Sequence, residues 1–133
     1  MPGAKDQISS SDLNRRIQIQ QNQYTWVDQN NRQDNWQTIY TCWANFVDRS
    51  MGRGMGKVYR YFQLYPEADR AMQIRFQKSV AVGAGDLNNK PMRVLYSAHG
   101  VNHVYQLLGV ENPNEANVSL WLICHEVQAQ VVN

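Results

Sequence analysis

Three short alternating apolar segments in the last third of the chain restrict its fold more than any other feature. Met92-Arg93-Val94-Leu95-Tyr96 runs into Ser97-Ala98-His99-Gly100, and Val104-Tyr105-Gln106-Leu107-Leu108 comes back. Asn112-Pro113-Asn114-Glu115-Ala116-Asn117 then breaks the chain before Val118-Ser119-Leu120-Trp121-Leu122-Ile123-Cys124-His125-Glu126. Period-two alternation punctuated by Gly, Pro and Asn is the pattern of antiparallel strands with one buried face. The segment therefore reads as a β-meander, with Tyr105, Leu107, Leu120, Leu122 and Cys124 as core side chains.

The same period recurs upstream. From Leu13 to Gln21, Ile17 and Ile19 oppose Arg16, Gln18 and Gln20. Trp36 to Val47 is rich in β-branched and aromatic residues with apolar groups on both faces. That predicts a strand covered on both sides, with Trp36, Trp43 and Phe46 in the core. Val58 to Tyr65 reads as strand-like, and a short helix between Lys57 and Met72 is compatible with the same residues. Ala71 to Gln77 sets Met72, Ile74 and Phe76 on one face. The Gln/Asn-rich tract from Gln21 to Gln37 reads as a long solvated loop, and Gly83 to Pro91 as another. About seven β-segments with almost no helical periodicity predict an all-β fold. A small barrel of six to seven antiparallel strands, with a long inserted loop and at most one short helix, is preferred because closure removes sheet edges. At 133 residues the chain fits a single domain, expected over 12–128 between a mobile tail at 1–11 and a short tail at 129–133.

Bulk composition excludes some classes of function. No apolar run approaches the roughly 18 residues of a membrane span, and Met1 to Gln7 does not resemble a signal peptide. Synthesis in the cytosol is expected, where Cys42 and Cys124 read as small buried hydrophobes. The net charge of +2 is too small by itself to announce a nucleic-acid binder. Its distribution is uneven, however. Arg49 to Tyr65 carries Arg49, Arg53, Lys57 and Arg60 and no acid, and Gly52, Gly54 and Gly56 alternate within it. Three glycines disfavour a helix by about 1 kcal/mol each relative to Ala, so Arg49 to Lys57 reads as a flexible basic loop. Such a loop suits contact with a phosphate backbone, since Arg and Lys neutralise phosphates without reading sequence.

Other chemistry finds little support. His99 and His103 lie four apart across a turn, and adjacent Cys124 and His125 point to opposite faces of a strand, so zinc ligation is disfavoured. No nucleophile elbow or phosphate-cradling glycine motif occurs. Neither an enzyme nor a cofactor is expected.

Taken together, these segments resemble the phage head–tail joining family, the head-closure or stopper proteins of tailed-phage necks. The likeness begins at Leu13-Asn14-Arg15-Arg16-Ile17-Gln18-Ile19-Gln20, similar to that family's opening L-x-x-R-I-x-I-Q strand. It continues through Trp36, Cys42-Trp43-Ala44-Asn45-Phe46 and Ile74-Arg75-Phe76. It ends in Met92 to Tyr96, Val104 to Leu107 and Leu120-x-Leu122-x-Cys124-x-Glu126. Order and spacing carry it over nearly all of Asp12 to Val127. Where the family starts a helix with a Ser-Gly-x-Glu-like motif, this chain has Ser50-Met51-Gly52-Arg53-Gly54-Met55-Gly56.

The resemblance implies a structural virion protein of the neck. It would form a homo-oligomeric ring of sixfold or twelvefold symmetry below a portal and adaptor, retain packaged DNA, and present a docking surface to a tail terminator or other tail protein. It further implies that Arg49, Gly52, Arg53, Gly54, Gly56 and Lys57 face the channel and its double-stranded DNA without sequence specificity, and that no membrane is involved. Two other readings use the same residues. An OB-like single-strand binder would stack bases on Tyr59, Tyr61 and Phe62 beside Arg60. An adaptor or tail-completion protein would share the neck but call for more helix.

Overall fold

The computed structural model of the chain describes residues 13–49, 57–87 and 89–131. Among the described residues eight strands are present: β1 (Arg15–Asn22), β2 (Thr25–Trp26), β3 (Arg32–Gln33), β4 (Trp36–Asp48), β5 (Arg70–Arg75), β6 (Met92–Ala98), β7 (Val101–Glu111) and β8 (Ser119–Val131). Helix α1 (Lys57–Leu64) lies between β4 and β5, and α2 (Lys78–Ala84) between β5 and β6. Six strands close an antiparallel barrel in the order β1-β4-β5-β8-β7-β6, while β2 and β3 form a separate two-stranded arm. The all-β barrel expected from the sequence is present. Among the described residues two short α-helices stand where at most one short helix was expected.

Alternation decides what enters the barrel. Ile17 and Ile19 of β1 lie opposite Cys42 and Tyr40 of β4 on one side, and Tyr96 and Val94 of β6 on the other. Those parities fill the interior, together with Met72, Leu107, Leu122 and Cys124. A two-residue turn joins β6 to β7, with His99 at φ +54° and Gly100 at φ +76°. Two successive left-handed residues form the hairpin turn whose twist matches the flanking strands. In β7 the register shifts between Leu107 and Gly109. This bulge sends Leu107 and Val110 inward while Leu108 joins the apolar cluster outside.

That outer cluster corrects the reading of Val58 to Tyr65, which is helix and not strand. Val58, Tyr61, Phe62 and Tyr65 recur at i, i+3, i+4 and i+7, the spacing of an apolar helix stripe. The stripe packs on Ala71, Trp121 and Ile123, the outward residues of β5 and β8. Helix α2, skipped between two predicted segments, helps close the barrel at the Gln21–Met92 end. Val80 is fully buried in the interior core, and Gln21 Nε2 donates to the carbonyls of Gly83 (3.2 Å) and Lys90 (3.1 Å).

The reading of β4 as covered on both faces also needs correction. Trp43 is 49% exposed, and only Ala44 and Val47 of the strand are buried. The reason lies in pairing: residues 36–44 ladder on β1, and only 45–48 reach β5 and the edge of the α1 cluster. Trp36 and Trp43 are thus surface aromatics, whereas Phe46 packs against the interior core.

Both cysteines are free. Burial pushes the Cys124 thiol well up, and it pushes the half-buried Cys42 thiol to about 11, against a lowering influence from Arg16. The thiolate is the reacting species. At neutral pH an alkylating reagent should therefore modify native Cys42 slowly and Cys124 only after unfolding. Prompt labelling of native Cys124, read by mass spectrometry, would show that the barrel opens at β8.

Candidate functional site

The basic segment begins where β4 ends. Arg49 Nη1 donates to the Ala68 carbonyl at 2.8 Å, its guanidinium lies 5.5 Å from the Phe62 ring centre, and its N–H donates to the Asp69 carbonyl. Arg49 thus ties β4 to the turn before β5. Gly52, Arg53, Gly54 and Gly56 lie outside the described residues. Lys57 opens α1, and the next residue, Val58, packs in the same cluster as Val47. Both anchors of the segment therefore rest on one part of the barrel wall.

The nearby mouth of the barrel is aromatic. Arg15 lies 4.9 Å from the Phe46 ring centre and 5.6 Å from that of Tyr96. The rings of Tyr96, His103 and Tyr105 follow one another at 6.0 and 6.2 Å. His103 Nδ1 is hydrogen-bonded to Glu126, whose backbone N–H donates to both carboxylate oxygens of Asp69 at 3.2 Å. Burial, reinforced by Glu126, pushes the Tyr105 hydroxyl up to about 12. This end contrasts with the one packed by α2, which is apolar and lined with amides.

On the outside of β4, β1, β6 and β7 runs a groove of about 540 Å³, lined by Arg16, Gln18, Thr41, Arg93, Leu95, Ser97, Asn102 and Val104 among others. No carboxylate is among its lining residues. Arg16 stacks on Trp43 at 5.3 Å, while Arg93 stacks on Trp36 at 4.2 Å and donates through Nε to Gln20 at 2.8 Å. The two tryptophans assigned to the core hold the arginines of this surface instead. Outward alternation of Arg16 was visible in the sequence. That Arg93 lines the same groove follows from the β1–β6 register, which sets Gln18 against Leu95 and Gln20 against Arg93.

The alternative chemistries do not assemble. Among the described residues, no three His, Cys, Asp or Glu side chains gather as a metal site. His99 sits in the hairpin turn, His125 meets Gln106, and Cys124 is inside the barrel. The proposed base-stacking platform is also broken up, because Tyr61 and Phe62 are buried on the inner face of α1 while Tyr59 is exposed. Among the described residues, no helix is long and apolar enough to cross a membrane.

Comparison with known proteins agrees with this architecture. A family model described as phage head completion protein matches residues 8–127. The solution structure of protein SF1141 from Shigella flexneri 2a is similar, with a TM-score of 0.54 and 20% identity. The match covers 90% of this chain and 96% of that one, and at this identity the likeness is one of fold. No curated protein matches the chain.

Proposed function

From the premise that the chain belongs to the phage head completion protein family, we propose that it is the subunit of a ring that closes the filled head beneath the portal. Membership makes it a structural component of the virion at the head–tail junction. In the proposed ring, the segment between Arg49 and Lys57 reaches the channel and meets packaged DNA, portal and adaptor lie above, and a tail protein docks below.

The observation that carries this reading is the placement of the residues that flank the basic, glycine-rich segment. Arg49 and Val58 stand at neighbouring sites, near the barrel mouth that carries Arg15. A ring multiplies each cation by its copy number, and Arg and Lys neutralise phosphates without regard to sequence. Subunits in such a ring meet head to tail through contacts that close. A closed barrel offers few strand edges for this purpose, so side-chain surfaces and the β2–β3 arm remain as contact elements.

Arg49 has a structural duty, so the test leaves it in place. Filled heads completed with Arg53→Ser/Lys57→Ser protein should show a severalfold rise in nuclease-accessible DNA, with the protein's melting midpoint unchanged. Normal DNA retention by heads carrying the double variant would remove the channel role from these residues.

A further inference from the structure

The β2–β3 arm is ordered well beyond what a solvated loop requires. Asn22, fully buried at its base, donates to Asp34 (3.1 Å) and accepts from the Asn35 N–H (2.9 Å). Arg32 pairs with Asp34 at 3.1 Å and lies 4.6 Å from the Tyr24 ring centre, while Tyr24 packs edge-on against Trp26. At the tip, Asp28 accepts from the N–H groups of Asn30 (2.9 Å) and Asn31 (3.0 Å) and from the Asn31 side chain (2.8 Å). These bonds hold its carboxyl below the usual carboxylate range. The stiffened tip nonetheless presents Trp26 at 62% and Val27 at 68% exposure.

A preordered arm carrying adjacent exposed apolar side chains beside an anion has the character of an interface anchor. Little ordering entropy remains to be lost on contact, and tryptophan is enriched among residues that dominate binding. The Arg16/Arg93 groove has the complementary character, with two guanidiniums, no acid among its lining residues, and an apolar patch where Leu95 pairs with Val104. Its volume is that of a site for a small group of side chains. We propose that the groove of one subunit receives the arm tip of the next copy of this chain, with Trp26 and Val27 against Leu95 and Val104 and Asp28 facing Arg16. This inference rests on the ring reading and supplies its subunit contact. Each chain carries both halves of the contact on different surfaces, the geometry of a head-to-tail joint that repeats around a ring.

The test mixes two proteins in a Cys42→Ser background, one carrying Val27→Cys and the other Ser97→Cys. Mild oxidation at ring-forming concentration, and again on filled heads, should join one to the other. A chain carrying both changes should give a covalent ladder up to ring size. Trp26→Ser should weaken self-association by about 30-fold or more. Rings seen by electron microscopy that never cross-link, or a disulfide confined within one chain, would overturn the contact and leave the ring reading standing. Absence of any ring, in solution or on heads, would overturn both. Arg16→Ala weakening duplex DNA binding while leaving self-association intact would assign the groove to nucleic acid and overturn the proposal.

Discussion

Replacing Phe62 with alanine is expected to destabilise the protein by about 3–5 kcal/mol and to lower its melting midpoint by roughly 10–20 °C. Phe62 is 2% exposed, within a cluster formed by Val58, Trp121 and Ile123. Helix α1 has only eight residues, and helices shorter than about 12–15 residues are marginal on their own. Its existence therefore depends on the stripe it buries. Removing its largest fully buried member leaves a cavity over β8 and takes away the ring beneath the Arg49 guanidinium. Tyr59→Ala, on the exposed side of the same helix, should change stability by about 0.5 kcal/mol or less. Denaturant titrations of the two variants decide the matter, because equal losses would mean that α1 does not dock through this face. Filled heads completed with Phe62→Ala protein should also leak DNA, since one anchor of the basic segment is loosened without loss of a charge.

The contrast between these positions also explains which parts of the fold were legible. Ile17, Ile19, Val94, Leu107 and Leu122 each lie on an alternating run whose inward parity is fixed by the period of two, so the barrel could be read directly. Val58 to Tyr65 could not. Its Val, Tyr and Phe residues favour strands by propensity, while their spacing also suits a helix, and local sequence does not choose between them. The deciding signal lay elsewhere, in the unbroken apolar run Leu120 to Cys124. Trp121 and Ile123 have outward parity there and need a cover, which α1 provides. The seven-residue α2 lacks a capping side-chain hydrogen bond and contains Gly83, so nothing local announced it.

The surfaces were less legible than the core. Trp36 and Trp43 read as core residues because their strand carries apolar groups on both faces. Instead they lie at the surface, each stacked by the guanidinium of an arginine that lines the groove. The glutamine- and asparagine-rich tract looked like solvent-facing filler. Its order comes from Asn22 and Asp34, twelve residues apart, meeting at the base of the arm. Contacts of that range follow from tertiary closure and leave no periodic trace.

Gly109→Ala should destabilise the protein by about 1–3 kcal/mol, the usual cost of overpacking. A glycine in a strand ordinarily gives the opposite result, since alanine there gains about 0.5–1 kcal/mol. At Gly109 an added Cβ would stand 2.3 Å from Tyr65 Oη and 2.6 Å from Cζ. The ring is poorly placed to yield, because it packs against the α1 cluster and its hydroxyl donates to Glu111 at 3.1 Å. Combining the change with Tyr65→Ala should abolish the penalty or reverse its sign, and a neutral or stabilising single variant would refute the steric account. Alkaline pH supplies an independent readout. Burial, with Glu111 second, raises the Tyr65 hydroxyl above its ordinary value near 10. Its contribution to stability is complete below about pH 10 and is lost as pH climbs through the raised value. Displacing the ring into solvent removes that dependence, so the stability gap between wild type and Gly109→Ala should narrow above about pH 10. A gap that stays constant there would mean that the added methyl acts on the backbone of β7 and not through Tyr65.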